Sequence, residues 1–514
     1  MVLLTAASTV ILDGRSLSFD DIIKVIRGGV KVKLSESAVM AVKRAASIVD
    51  EWSKSDDAVY GITTGFGKLA SIKISPQDRQ KLQENLLLSH ACGVGEAYSE
   101  EITRAIMLLR INTLSRGFSG ISLNTLQGLI NLLNAEIHPV IPCQGSIGAS
   151  GDLCPLSHLA IALLGVGNVR YKGREMSAEE ALLAAGLKPI KLEAKEGLAL
   201  NNGTTVMTAI AAICVIDGIK LTKLADIAAS LSIEALHGVP YAFDQRTHAL
   251  RPFKGQGDVA SNIRRLIANS QIVENFKHKR VQDAYSMRCV PQVHGASRDA
   301  IDFVRSSVEI EINAVTDNPL IFPDDREALS GGNFHGQPIA MGMDFFGIAM
   351  AEIASISERR QARLVDSSLS ELPPFLISGS GLNSGYMIPQ YTSAAIVSEN
   401  KVLANPSCVD SIPTSANQED HVSMGGYSAR KAAAILDNTR KVLAIEFLMG
   451  AQALDFTPDL KAGDGTAAAH QFIRKHIQFL EKDEYLHPLI VKMYSCLIGD
   501  ELLDTVESVI GRLN

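Results

Sequence analysis

Leu156, Leu159, Ala160, Leu163 and Leu164 recur at the i, i+3, i+4, i+7 and i+8 spacing of a helix that turns one face to a core. Stretches with the same period follow at roughly 202–237, 296–316, 337–369, 387–404 and 424–453. Some run past about 25 residues, a length that points to a bundle of long helices. Shorter patterns precede them. Ser18 ahead of Phe19-Asp20-Asp21 reads as an N-cap with acids in the first turn. Gly28-Gly29 ends that helix. A second helix is predicted from Ser35 to about Lys54, and others from about Pro76 to His90 and from Glu100 to Leu114. A short strand over Thr9–Leu12 runs into the Asp13-Gly14 turn.

Two stretches break the helical rhythm. Tyr60 to Gly67 is a glycine-rich loop. His138 to Gly151 holds two prolines, three glycines and no formal charge, which predicts a buried or half-buried irregular segment. There is no internal repeat, low-complexity tract or linker to mark a domain boundary.

Composition narrows the class. At about 150 residues per domain, 514 residues suggest three or so domains. Hydrophobic residues at 46% and charged residues at 20% describe a globular chain. Aromatics are only 5%, with Trp52 the single tryptophan, and the abundance of alanine and leucine favours helix over sandwich or barrel. A net charge of −7 disfavours nucleic acid as a partner. The N-terminal segment has no basic stretch, and its apolar run stops at Asp13, so a signal peptide is not expected. The uncharged run Gly197 to Ile216 carries Asn201, Asn202, Gly203 and three threonines, which suits a buried helix better than a membrane span. Seven widely spaced cysteines without a CxxC pair suit reduced thiols in a cytoplasm. No histidine pattern has metal-ligand spacing, so no metal is expected. The Gly61–Lys68 loop has the wrong spacing for a phosphate-binding loop. Gly165-Val166-Gly167 lacks the third glycine of a dinucleotide fingerprint, and Gly148 to Asp152 is not a nucleophile elbow.

The most informative segment is Gly145-Ser-Ile-Gly-Ala-Ser-Gly-Asp-Leu153. Taken alone it is a loop entering a helix, with Asp152 near the N-cap and Pro155 in the first turn. In context, Ala149-Ser150-Gly151 resembles the tripeptide that the histidine and aromatic amino-acid ammonia-lyases convert into an electrophile. Further blocks carry the resemblance over nearly the whole chain: Tyr60–Gly67, Gly197–Thr204, Val281–Arg288, Thr316–Leu320, Gly331–His335, Gly381–Gly385 and Asn417–Met424. Seven blocks in the family's order are not a coincidence.

The resemblance implies a mainly α fold, a long-helix bundle of the fumarase/aspartase-like superfamily type with a mixed N-terminal region. It implies one ammonia-lyase unit over 1–514, with 1–200 carrying the electrophile loop and 201–514 supplying the bundle and C-terminal helices. It also implies a 4-methylidene-imidazol-5-one (MIO) ring formed autocatalytically from Ala149, Ser150 and Gly151, with no external cofactor. There the Gly151 nitrogen attacks the Ala149 carbonyl carbon and two waters are lost, Ser150 leaving the exocyclic carbon. Glycine at 151 removes the side chain that would obstruct that approach. The positive end of the helix beginning near 153 favours an electrophile. A homotetramer with each pocket built from three subunits is implied as well, with no nucleic acid and no membrane as partner.

Roles are carried over by position. Tyr60 matches the family's base, on a loop whose Gly61, Gly65 and Gly67 fit a mobile lid. A phenol ordinarily titrates at about 10, so base duty requires positive surroundings such as helix N-termini or Arg288. Arg288 matches the carboxylate-binding arginine, whose planar fork suits an amino acid. Asn202 and Tyr285 match catalytic residues around the ring and the substrate, and Gln282 and Phe334 match pocket neighbours. In isolation Arg288 and Gln282 read as helix-surface residues and Phe334 as core.

Two positions bear on substrate. Ser89-His90 is the pairing of the histidine-specific members, where phenylalanine enzymes carry Phe-Leu and tyrosine enzymes His-Leu. Glu419 stands where those relatives carry glutamine, and a buried carboxylate against a bare phenyl ring would be costly. Both imply elimination of ammonia from L-histidine to give trans-urocanate. A tyrosine or phenylalanine lyase or aminomutase using the same ring, and a helical scaffold without activity, are the alternatives. Asn201, Ala284 and Phe253-Lys254 depart from the family pattern, and the first two adjoin assigned residues.

Overall fold

The computed structural model describes residues 9–55, 59–69, 71–379 and 381–514. Among them are twenty-one α-helices and nine short strands, so the chain is mainly α. The periodic stretches become three helices of great length: Thr205–Ala235 with 31 residues, Gln337–Val365 with 29 and Gly425–Leu454 with 30. Ser18 and Ser35 cap their helices through their hydroxyls, to Asp21 N and Ala38 N. Val290–Glu311 begins six residues ahead of the expected position. Pro291 in its first turn forgoes an amide that has no partner there anyway.

Two expectations need correction. The predicted helix over 202–237 does not begin at 202. Asn202-Gly203-Thr204 separates Glu196–Asn201 from Thr205–Ala235, with Gly203 at φ +137°, a backbone closed to side chains. The segment 138–151 is not irregular throughout. His138–Pro139 pairs with Asn168–Tyr171, and Pro142–Gln144 with Val94–Ala97. Its two prolines sit where a short strand tolerates a missing amide, and the irregular part shrinks to Gly145–Asp152.

The chain forms two compact units. One comprises Met1–Ile213, Arg305–Asp344 and Pro406–Arg430; the other comprises Cys214–Val304, Phe345–Asn405 and Lys431–Asn514. In the first, Ala45, Ile48, Val49, Ile62 and Ile321 form a core cluster that anchors the loop after Tyr60. The same unit holds a buried ion pair, Lys195 Nζ to Asp317 Oδ2 at 2.9 Å, both side chains fully covered. In the second unit the long helices pack on one another. Thr439 Oγ1 donates to Met350 O, Gln361 Nε2 to Val442 O, and Ser297 Oγ to Ala349 O. Gly347 faces Ile435, where a side chain would crowd it at 3.1 Å. Among the described residues two helices are apolar and long enough to cross a membrane, but 72% of the apolar window of Thr205–Ala235 and 67% of that of Gln337–Val365 are buried in protein.

Candidate active site

The loop Gly145–Asp152 is held from several sides by the first unit. Gly151 adopts φ +72° and forms a parallel bridge with Gly203. A Cβ at 151 would lie 2.2 Å from the Gly203 carbonyl oxygen, so only glycine fits. Asp152 N donates to that oxygen at 2.7 Å, and Asn202 Nδ2 donates to Ser150 O at 3.2 Å. Met424 N donates to Ile147 O at 2.8 Å and Ser423 Oγ to Gly148 O at 3.2 Å. Ala149 packs with Val422 and Met424.

Asp152 does something its position did not foretell. It makes no side-chain cap on its own helix, Leu153–Ile161. Its carboxylate instead accepts from Val206 N and Met207 N at 2.8 and 2.9 Å, at the start of Thr205–Ala235. Ser146 Oγ donates to its other oxygen at 2.8 Å. Complete burial pushes its pKa up to about 6, against the opposing effect of Met207 N, Ser146 Oγ and Val206 N. Three helices therefore start beside this loop: Leu153–Ile161, Thr205–Ala235 and Gly425–Leu454. Their positive ends favour negative charge there. One such end was expected from the sequence. The signal for the other anchors is faint: Asp152 is the first charge after a long neutral run.

A cavity of about 690 Å³ opens onto Ser150. It gathers Tyr60, His90, Ser150, Asn202 and Glu419, drawn from five separate segments. Ala149 and Gly151 are buried behind Ser150. The Tyr60 hydroxyl accepts a hydrogen bond from Gly67 N at 3.1 Å. Glu419 is fixed through both oxygens: Ser150 Oγ donates to Oε1 and Thr414 Oγ1 to Oε2, each at 2.9 Å. No motif in the sequence points to Thr414.

His90 is the last residue of Arg79–His90. Ser89 Oγ donates to Leu86 O at 3.1 Å and lies 3.0 Å from His90 Nδ1. With its proton committed to Leu86, the serine accepts from Nδ1–H, which leaves Nε2 an acceptor. Burial pushes the imidazole pKa down, against the backbone of Leu86 and the Glu419 charge. With Nδ1 engaged by Ser89, Nε2 is the ring nitrogen left for a ligand.

The remaining expected residues lie elsewhere. Phe334 belongs to the first unit, half-buried, and does not line the cavity. Gln282, Tyr285 and Arg288 belong to the second. Gln282 and Tyr285 are exposed, and the Arg288 guanidinium lies 4.7 Å from the Tyr285 ring centroid.

The chain is similar to known proteins along nearly its whole length. The model of the family described as aromatic amino acid lyase matches residues 17–475. The histidine ammonia-lyase of Alkaliphilus oremlandii is 51% identical over 501 residues, 98% of this chain and 99% of the relative. That of Clostridium tetani is 51% identical over 505 residues, 98% of each. Among solved structures, histidine ammonia-lyase from Trypanosoma cruzi superposes with a TM-score of 0.91 at 40% identity, covering 98% of this chain and 96% of that one. Tyrosine aminomutase from Streptomyces globisporus does so with a TM-score of 0.93 at 35% identity, covering 98% and 99%.

Proposed function

The chain belongs to the aromatic amino acid lyase family, and from that premise we propose that it is a histidine ammonia-lyase, removing ammonia non-oxidatively from L-histidine to give trans-urocanate. It is a carbon–nitrogen lyase, placed at the first step of histidine degradation. The observation that carries the substrate is the pairing of His90 and Glu419 on the wall of the cavity that opens onto Ser150. An acceptor nitrogen and a carboxylate together suit a ring with two N–H groups or a positive charge, and suit a bare phenyl ring poorly.

The residues around Ala149-Ser150-Gly151 fit an MIO ring made from the chain itself, with no external cofactor. Gly151 has the positive φ and the crowded site that exclude any side chain, and Asn202 Oδ1 is buried without a partner. Such a ring supplies the electron sink for breaking the C–N bond. Tyr60 removes the β-proton, its phenol oxygen held by an amide hydrogen bond from Gly67 N. Glu419 and His90 orient the imidazole. Asn202 donates toward position 150, where negative charge develops. Tyr285 and Gln282 border the substrate, Phe334 borders the ring, and Arg288 grips the carboxylate in a bidentate fork.

The whole chain 1–514 acts as one ammonia-lyase unit in a homotetramer whose pockets each draw on three subunits. The 70% exposure of Tyr285 supports this, because a catalytic tyrosine needs enclosure that its own unit does not supply. Seven free thiols support a cytoplasmic location. Neither nucleic acid nor membrane is a partner.

Mass spectrometry of the 145–155 peptide tests the ring: a loss of two waters is expected, and the plain sequence mass would overturn it. Ser150→Ala should keep the fold and lose turnover. Offering L-histidine, L-tyrosine and L-phenylalanine in turn tests the substrate. Faster turnover of either aromatic competitor, or of a β-amino product, would instead favour the tyrosine or phenylalanine lyase or aminomutase reading.

A further inference from the structure

Tyr285 and Arg288 stand at the two ends of a four-residue helical turn, Tyr285–Arg288. Tyr285 is largely exposed and Arg288 leans on its ring, so neither fixes the other in space. A guanidinium that grips a carboxylate must nevertheless be held to a fraction of an ångström. The residues around and between them supply the fixing. Met287 is buried. Asp283, buried just ahead of the turn, accepts from Val239 N at 2.6 Å and from Arg280 Nη1 at 3.0 Å. The Ser286 carbonyl accepts from Arg360 Nη1 at 3.5 Å.

Arg360 is the unusual anchor. It is fully buried, and its Nε and Nη2 fork onto Glu446 at 2.5 and 2.9 Å. Ser232 Oγ donates to the same carboxylate at 2.7 Å. Such a pair is costly to desolvate, and an apolar pair of similar volume would stabilise the bundle as well or better. What an apolar pair lacks is a rigid third N–H group in a direction set by the other two. Here that group faces the backbone between Tyr285 and Arg288.

We propose that Arg360, locked by Glu446, is a positioning residue for carboxylate recognition, fixing the turn that carries Arg288 through the Ser286 carbonyl, with Asp283 as the second anchor. The inference rests on the reading of Arg288 as the carboxylate-binding residue.

Equilibrium binding of two unreactive ligands to the full chain in its native assembly tests it. Imidazolepropionate has the ring and the carboxylate but no amine; 4-ethylimidazole has the ring alone. In the double variant Arg360→Met/Glu446→Leu, the Kd for imidazolepropionate should rise about tenfold or more, while that for 4-ethylimidazole stays put. Unchanged affinity for both, or equal weakening of both, overturns the proposal. If the double variant does not fold, Arg360→Lys decides in the same way, since it keeps the charge against Glu446 and loses the fork. Arg288→Met separates the two layers. Should it leave the preference for imidazolepropionate intact, the reading of Arg288 falls and the positioning role with it. Should it erase the preference while both Arg360 variants keep it, only the positioning role falls.

Discussion

Single residues in this chain are explained by what they exclude as much as by what they contact. Ala284 is the clearest case outside the cavity. It departs from the family pattern, in which proline stands between the aspartate and the tyrosine. Its φ of −61° is nonetheless that of proline, and no hydrogen bond from its amide is found among the described residues. Ala284→Pro should therefore raise stability by about 0.4–1 kcal/mol, because the unfolded chain loses freedom the native turn never used. Thermal unfolding would show a higher Tm at unchanged turnover. A lower Tm would mean that the turn needs an amide at 284 after all.

At the scale of elements, Asp152 joins one helix to another by capping the start of Thr205–Ala235 from the residue before Leu153–Ile161. Its folded pKa of about 6 lies above the ordinary 3.8. The sign follows directly: the folded state holds the proton more tightly, so this group favours folding below about pH 4 and that contribution fades as pH rises to about 6. Asp152→Asn should remove this falling slope, which denaturant midpoints at several pH values between 4 and 7 would show. Parallel slopes in wild type and variant would sink the assignment. The long helices were legible in the sequence because a 3.6 period sustained over eight turns has no other reading. The break at Asn202-Gly203-Thr204 was not, because its cause is the Gly151 backbone about fifty residues away. Strand Val94–Ala97 finds its partner at Pro142–Gln144, and Arg360 finds Glu446 across 86 positions. Periodicity carries no information about such distant pairings. The five residues that meet at the cavity were named from motif resemblance, yet only the structure shows that Ser150 and Thr414 divide the two oxygens of Glu419.

For the whole molecule, the proposed sharing of each pocket between chains is what remains to be tested. The cavity at Ser150 is built by the first unit, whereas Gln282, Tyr285 and Arg288 belong to the second, with Tyr285 open to solvent. If each pocket draws Ser150 and Arg288 from different subunits of a closed symmetric assembly, two dead variants can repair one another. Ser150→Ala and Arg288→Met should each be nearly inactive when purified alone. Co-expressed with different tags and isolated as mixed assemblies, they should recover activity, because some pockets then receive an intact Ser150 from one chain and an intact Arg288 from another. With equal amounts and random mixing, about a quarter of the pockets meet both conditions, so about a quarter of wild-type activity is expected. The recovered activity should also show the wild-type KM, since each repaired pocket is chemically complete. Mixed assemblies that stay inactive would place both residues in the pocket from a single chain, and the exposure of Tyr285 would then no longer follow from enclosure by a neighbouring subunit.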